Sequence, residues 1–432
     1  MNLRAFFQKA ATFFFQTTIL LLPTQLGKHF WPDFALTQGI RIDYLSPTLY
    51  VTDITIFLSL FFTILYLGNT FLLPFRILLF KHKILLLLIS LDIGLGIIGA
   101  TNKMVSLYEL YKDIEFLLFI YLVIRNVPKV KIATLLALGV CFESLLSVAQ
   151  FVHQGSLGGP LYLLGEREIF PSTPGAANVS IHGLLLLRPY GTFSHPNVLA
   201  GYLIVVLALL IFSKKKKQIK NNLGWIITYI LGSLGVVISL SRPAVMVLFV
   251  MICVRLAMEK GRKRKIYATS IFICLVLLIL ISFSVLRFRL FDFSLSDSSI
   301  TQRIYLMQVA LKMIGQSPLF GIGLGNFIPT LPRIMGYVGY QLLQPVHNIY
   351  LLEMSELGMF GFLLLVWIIY MVIQKLRHVQ SNGYQFTFRG IVIALSSIAF
   401  LGLFDHYFFT LEQAQLVLCL VIGIVYAEKS RA

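Results

Sequence analysis

Residues 194–217 read SHPNVLAGYLIVVLALLIFSKKKK. An apolar run of membrane length ends in four consecutive lysines, Lys214 to Lys217. Such a run belongs in hydrocarbon, and the lysines that close it belong on the cytoplasmic side. The pattern repeats along the chain. Of 432 residues, 58% are hydrophobic and 12% charged, with a mean hydropathy of +0.85. That composition excludes a soluble domain and predicts an all-α, polytopic integral membrane protein. Apolar stretches fall at 10–22, 51–67, 83–100, 105–124, 130–152, 194–213, 222–240, 243–258, 266–286, 346–373, 390–408 and 411–427. They predict about twelve transmembrane helices in one membrane domain over 1–432.

The net charge of +18 raises the question of nucleic acid. The basic residues, however, sit in short runs between apolar segments, such as Lys214–Lys217 and Arg262–Lys265. This is the positive-inside pattern, with membrane lipids and not nucleic acid as the partner. It places both termini in the cytoplasm and the protein in the cytoplasmic (inner) membrane as a multi-pass chain. The apolar start, ending near Leu22, has no small-residue cleavage site and reads as an uncleaved first helix. Cys141, Cys253, Cys274 and Cys419 all lie in apolar segments and read as core residues, not a disulfide framework or metal site.

Three outer connections are long. Residues 23–50 carry Trp31, Tyr44 and Tyr50, read as an interfacial belt. Residues 153–193 are rich in Gly, Ser and Pro. Residues 287–345 form a large outer loop between the ninth and tenth membrane helices. Within it, Ser299-x-x-Gln302 resembles a capping box. Ile304, Met307, Ala310, Leu311 and Ile314 follow at helical spacing, predicting an amphipathic helix that ends near Gly315. Gly321, Gly323 and Gly325 then make a glycine-rich turn, not a dinucleotide fingerprint, because no βαβ unit surrounds them.

Ionisable residues gather at the outer helix ends, where each is costly unless it binds something. Arg242 lies between two helices with almost no intervening length. It either snorkels to headgroup phosphates or holds a substrate phosphate in its planar fork. Arg303, on the first turn of the amphipathic helix, is by itself an ordinary surface charge. His347 and Asn348 open the tenth helix, as a polar cap or, for His347, as a proton acceptor near neutral pH. Glu353 and Glu356 lie below, inside the membrane, and either orient His347 or pair with an arginine. Arg188, Tyr190, His195 and Asn197 surround a structured turn that positions a phosphate or sugar, or just holds the helix end. Asp405, in the last outer turn with His406 and Tyr407, is a candidate sugar contact or charge partner. Asp292 and Asp297 are too few and too far apart to argue for a metal.

The order of these motifs carries a resemblance. Arg188-Pro-Tyr-Gly-Thr-Phe-Ser-His-Pro-Asn197 is followed by Ser241-Arg242, then by Arg303 and Ser317-Pro-Leu-Phe-Gly-Ile-Gly-Leu-Gly-Asn-Phe327, then by His347-Asn-Ile-Tyr-Leu351 with Glu356-x-Gly-x-x-Gly361. Over residues 185–365 this closely resembles the O-antigen ligase and polymerase family (Wzy_C type). Pro243 departs from it, since many members have Gly there. The resemblance implies a membrane glycosyltransferase of surface polysaccharide biosynthesis. It implies a polyprenyl-pyrophosphate-linked glycan donor and a glycan, lipid A core or protein acceptor. It also implies metal-independent inverting transfer with no cofactor. Arg242, Arg303 and His347 match the family's essential residues; Arg188, Tyr190, His195, Asn197, Asn348, Glu356 and Asp405 are the candidate substrate contacts. A transporter or flippase of lipid-linked sugars is the competing reading. It would place polar residues in the middle of several helices, where Lys112, Glu115, Glu143 and the two acids of the tenth helix, Glu353 and Glu356, are found.

Overall fold

The computed structural model describes residues 3–128, 130–181, 184–213, 223–258, 298–377 and 386–427. Its helices in chain order are α1 (Leu3–Leu21), α2 (Val51–Leu67), α3 (Leu73–Lys81), α4 (Lys83–Gly99), α5 (Lys103–Asn126), α6 (Ile132–His153), α7 (Pro196–Ile211), α8 (Leu223–Ile238), α9 (Arg242–Ala257), α10 (Ser298–Gln316), α11 (Phe327–Met335), α12 (Ile349–Arg377), α13 (Phe388–Leu401) and α14 (Glu412–Ala427). Each predicted apolar stretch coincides with one of them except 266–286, which lies outside the described residues together with Cys274, Asp292 and Asp297. Three helical stretches, Val51–Ile77, Ile132–His153 and Ile349–Arg377, are long and apolar enough to cross a membrane; α7, α8, α13 and α14 are apolar but shorter. The chain is a helical, multi-pass membrane protein. Hydropathy drew several stretches too long: His195, His347, Asp405 and His406 lie in turns just outside the helices.

The bundle is built around α7, whose residues are buried on all sides from Val198 to Leu210. That follows from its sequence, which offers no polar face. α6, α8, α9, α13 and α14 pack on it. Tyr407, in the helical turn that precedes α14, approaches Gly201 of α7 so closely that a Cβ there would overlap its ring. Outward-facing apolar residues such as Phe57, Leu87 and Trp367 are exposed, as expected where the partner is lipid.

A second apolar cluster lies beyond the bundle's end and joins Leu306, Val309 and Met313 of α10 to Phe327 and Leu331 of α11 and to Ile42 and Leu45 of the N-terminal connection. The predicted amphipathic helix therefore exists, but it buries another face. Ile304, Met307 and Leu311 are exposed, whereas Leu306, Val309, Ala310 and Met313 are buried. Apolar residues also follow the spacing Leu306, Val309, Ala310 and Met313, so periodicity alone could not choose between the two overlapping faces. Gln302 Nε2 donates to Gln341 Oε1 at 2.9 Å, and the capping-box reading of Ser299 lies outside the described side chains.

The N-terminal connection forms two small antiparallel pairs, β1 (Gly27–His29) with β4 (Thr48–Tyr50) and β2 (Leu36–Thr37) with β3 (Ile40–Arg41). A third hairpin pairs β5 (Asn178–Ile181) with β6 (Leu184–Leu187). Trp31, Tyr44 and Tyr50, read from the sequence as an interfacial belt, each have specific partners within the protein. Trp31 stacks on His29 at 5.6 Å, Tyr44 packs on His406, and the Tyr50 amide donates to Asp53 Oδ2 at 2.9 Å at the start of α2. Cys141 and Cys419 are half-buried and buried, Cys253 is exposed, and all three are free thiols.

The glycine-rich turn repairs a broken helix. Gly358 interrupts α12 with φ 66° and ψ −167°. The amides of Ile322 and Gly323 donate to the carbonyls of Ser355 and Glu356 at 3.0 Å each, and those of Met359 and Phe360 donate to Pro318 and Leu319 at 2.8 and 3.1 Å. Backbone groups freed inside a membrane need such partners. A Cβ on Gly321 would overlap the Glu356 carbonyl, so the approach requires glycine, whose φ of 66° is also left-handed.

Candidate active site

Several polar turns meet at one end of the bundle. The turn Arg188–Phe193 is clamped from α6. Gln150 accepts from the amides of Tyr190 and Gly191 at 3.0 and 2.7 Å, and Glu143 meets the amide and hydroxyl of Thr192 at 3.0 and 2.7 Å. Glu143, a polar residue inside a membrane helix, thus holds a loop and does not line a path. The Tyr190 hydroxyl accepts from the Ala177 amide at 2.8 Å.

From this turn a hydrogen-bonded chain crosses the bundle end. Arg188 is buried; its Nε donates to the Ser239 carbonyl at 2.8 Å and its Nη2 to Asn197 Oδ1 at 2.7 Å. Asn197 Nδ2 donates to Asp405 Oδ2 at 2.8 Å, and Asp405 Oδ1 accepts from the His406 amide at 2.9 Å. His406 Nδ1 is 2.7 Å from the Thr410 hydroxyl, and the His406 ring stands edge-on to His347 with centroids 5.2 Å apart. His195 caps α7, its Nδ1 accepting from the Asn197 amide at 3.1 Å.

His347 is fixed by its neighbours in the chain. The Ile349 amide donates to the Gly402 carbonyl at 2.9 Å, and Asn348 Nδ2 donates to Leu403 at 3.2 Å. Asn348 Oδ1 caps α12 by accepting from Tyr350 and Leu351 at 3.0 Å each. The polar-cap reading therefore applies to Asn348, while His347 is left for other work: its Nδ1 is buried without a hydrogen-bond partner. Arg303 reaches in from α10 and donates to the Phe404 carbonyl at 2.9 Å, one residue from Asp405.

The electrostatics follow from this crowding. Burial lowers His347 to about 3, only partly opposed by Asp405 and reinforced by His406 and Arg303. His195 falls to about 3, chiefly by burial and then by Arg188, and His406 to about 4 by burial. Burial by itself would raise Asp405, but the positive charge of His347 and His406 when they are protonated, and of Arg303 at any pH, holds it below the usual carboxylate range. At neutral pH the group is therefore three neutral imidazoles around one carboxylate, with Arg303 beside it. Donor atoms of His347, Asp405 and His406 lie within 4.8 Å of one another, a spacing a cation would accept. Asp405 already accepts from Asn197 and the His406 amide, and Arg303 opposes a second positive charge, so the group suits proton handling better than cation binding.

Arg242 begins α9 after a turn as short as the sequence suggests. Leu240 there takes φ 55°, a left-handed conformation that costs a bulky residue about 1–3 kcal/mol. Arg188 grips the Ser239 carbonyl of the same turn. Glu356 is elsewhere. Its two oxygens accept from the amides of Gly325 and Phe327 at 2.8 and 2.9 Å, so it secures the glycine-rich turn and neither orients His347 nor pairs with an arginine.

A cavity of about 230 Å³ opens beside His347 and Asp405. His195, His406 and Tyr44 share its wall; Arg188, Asn197, Arg242 and Arg303 are not among the described residues that do. Tyr44 packs edge-on to His406 at 5.5 Å, and burial together with Asp405 keeps its phenol protonated. Tyr44 and the strength of the His406 contact were invisible in the motifs. Their only sequence signal was a long aromatic outer connection and a His beside Asp405.

A multi-pass membrane bundle with an ionised cluster at one end is thus the class of protein that the fold and site define. Residues 227–366 match the family model for O-antigen ligase (Wzy_C). The match supports the resemblance carried by the motifs, and it spans Arg242, Arg303 and His347 while leaving Arg188, His195, Asn197 and Asp405 outside. No curated protein matches the chain.

Proposed function

We propose that this protein is a membrane glycosyltransferase of O-antigen ligase type, transferring glycan from a polyprenyl-pyrophosphate carrier to an acceptor hydroxyl. The observation that carries this reading is His347: neutral, with an unpartnered Nδ1, next to Asp405 and in the field of Arg303, inside the segment that matches the family. The acceptor hydroxyl gives its proton to His347 while its oxygen bonds to the anomeric carbon. The bond from that carbon to the pyrophosphate oxygen breaks, and the electron pair leaves with the carrier. A single displacement of this kind inverts the anomeric configuration. Arg303 and Arg242 stabilise the charge that develops on the leaving pyrophosphate, the role a divalent cation has in other transferases. Asp405 steadies the imidazolium as it forms, and Asn197 and Arg188 hold Asp405 in place. We place the site on the outer face of the cytoplasmic membrane, with both termini in the cytoplasm, on the distribution of basic residues.

The test is transfer by the purified full-length protein. It is given a polyprenyl-pyrophosphate oligosaccharide and candidate acceptors without nucleotide, with and without EDTA. Released polyprenyl pyrophosphate with a lengthened acceptor supports the reading, and the acceptor that works separates a ligase from a repeat-unit polymerase. Movement of the lipid-linked sugar across proteoliposomes with no transfer would instead make the protein a flippase.

A further inference from the structure

The cavity beside His347 has a wall of unusual chemistry for a protein whose donor carries a pyrophosphate. Its cationic side chains are Lys112 and Arg167. Lys112 is fully engaged by Asp53, Glu115 and Glu412 at 3.0, 2.7 and 3.0 Å, and Arg167 lies 3.5 Å from Asp43. Asp43, Glu109, Asp405 and Glu412 all reach the same wall, so carboxyls outnumber cations there. A phosphate entering would find no uncommitted ammonium or guanidinium among the described residues of the wall. The phosphate-binding arginines of the proposed mechanism, Arg242 and Arg303, are not part of this wall.

What the wall does offer is aromatic rings and neutral hydrogen-bonding groups. Tyr44, Tyr50, Tyr108 and Tyr407 provide faces for the C–H side of a sugar ring. Gln25, Gln344, Gln413 and Gln415 provide amides for hydroxyls. Gln413 is buried and its Nε2 has no hydrogen-bond partner, although a buried amide ordinarily has one. The volume suits one or two small polar rings and not a long glycan.

We propose that this cavity is the acceptor subsite and that it takes an uncharged, hydroxylated sugar ring, whose hydroxyl it presents to His347, while the carrier's pyrophosphate stays on the arginine side. This rests on the glycosyltransferase reading. It selects, among glycan, lipid A core and protein acceptors, a glycan whose terminal ring carries neither phosphate nor carboxylate. Uronic or phosphorylated rings are disfavoured because both cations of the wall are already paired.

The experiment measures binding apart from turnover. Full-length protein in lipid nanodiscs is titrated with methyl β-lactoside and with the same disaccharide oxidised to the uronate, followed by saturation-transfer NMR. The neutral disaccharide is expected to bind at least tenfold more tightly than the uronate. Gln413→Leu, which removes an amide with no partner to lose, and Gln344→Trp, which narrows the cavity, are each expected to weaken it about tenfold. In the transfer assay the same variants should raise the acceptor KM and leave the donor KM unchanged. Equal binding of both disaccharides, no saturable binding of either, or no effect of either variant overturns the assignment, even if transfer itself is observed. Selective, variant-sensitive binding without transfer to any acceptor would uphold the subsite and defeat the proposed reaction.

Discussion

Two buried ionic clusters face the same cavity, and they are wired in opposite ways. Around Lys112, one ammonium meets three carboxylates, at 3.0, 2.7 and 3.0 Å, and its positive charge is fully engaged. Around His347, one carboxylate faces three imidazoles held neutral by burial, and a ring nitrogen is left without a partner. The first cluster ties α2, α5 and α14 together across the bundle. The second keeps a proton-accepting group uncommitted. Burial of charge is therefore not by itself a sign of chemistry; what separates the two is whether the central group has spent its hydrogen-bonding capacity.

The comparison breaks first at His347. His347→Ala should lower transfer about 10²–10⁴-fold, the usual weight of a general base, with the thermal unfolding midpoint in detergent nearly unchanged. Activity within a few-fold of wild type would make the histidine cluster as structural as the lysine one. Arg303→Ala and Arg242→Ala should each cost about 10²–10³-fold in kcat if they stabilise leaving-group charge. A loss confined to acceptor KM would move them out of that role.

The lysine cluster should fail by another route. Lys112→Met leaves three carboxyls without their cation and should destabilise the fold by about 3–5 kcal/mol, read as a lower unfolding midpoint or a lost monodisperse peak. An unchanged midpoint would show that Lys112 is no keystone. Gly321→Ala should cost about 1–3 kcal/mol, because the new methyl meets the Glu356 carbonyl at a left-handed φ. The same measurement showing wild-type stability would mean that the strap can shift away from α12.

The smallest effect expected is with pH. With His347 at about 3, the base stays unprotonated, and activity should be nearly flat from pH 7 to 5. An ordinary histidine near 6.5 would lose about twenty-fivefold over that range. For stability the sign is the same at each histidine. His195, His347 and His406 are neutral in the folded chain yet protonate near 6.5 once unfolded, so the unfolded state binds more protons between about pH 3–4 and 6.5. Their contribution is present above about pH 6.5 and lost as pH falls through that window. Asp405, held low in the fold, acts in the same direction below about pH 4. An acid limb of activity near 6.5 would show that His347 is solvated and ordinary.

Much of the site was legible because its residues violate the local pattern. Arg188, Arg242 and His347 stand at the ends of runs that are otherwise apolar, where only a partner justifies them. The tight turn before Arg242 could be read from the closeness of two apolar runs, and Leu240 supplies the left-handed residue that makes it. Glu143, Lys112 and Glu356 were equally visible, yet their roles were not. Each satisfies a group far away in sequence: Thr192 for Glu143, Asp53 and Glu412 for Lys112, the Gly325 and Phe327 amides for Glu356. The polar residues in mid-helix that favoured a transporter include these three, and such partners weaken that reading.

The sequence by itself determined that the chain is helical and lives in a membrane, because long apolar runs have no other stable solution and backbone groups in lipid must bond within their own helix. It also determined which outer turns carry arginine and histidine. Only the tertiary structure decided that α10 buries Leu306 and Met313 and exposes Ile304 and Leu311, that Tyr44 and His406 join His347, and that the glycine-rich turn mends α12 at Gly358. The physical reason is range. Hydropathy is a property of each segment alone, whereas the partner of a hydrogen-bonding group, and the side of a helix that meets a neighbour, exist only once distant segments are brought together.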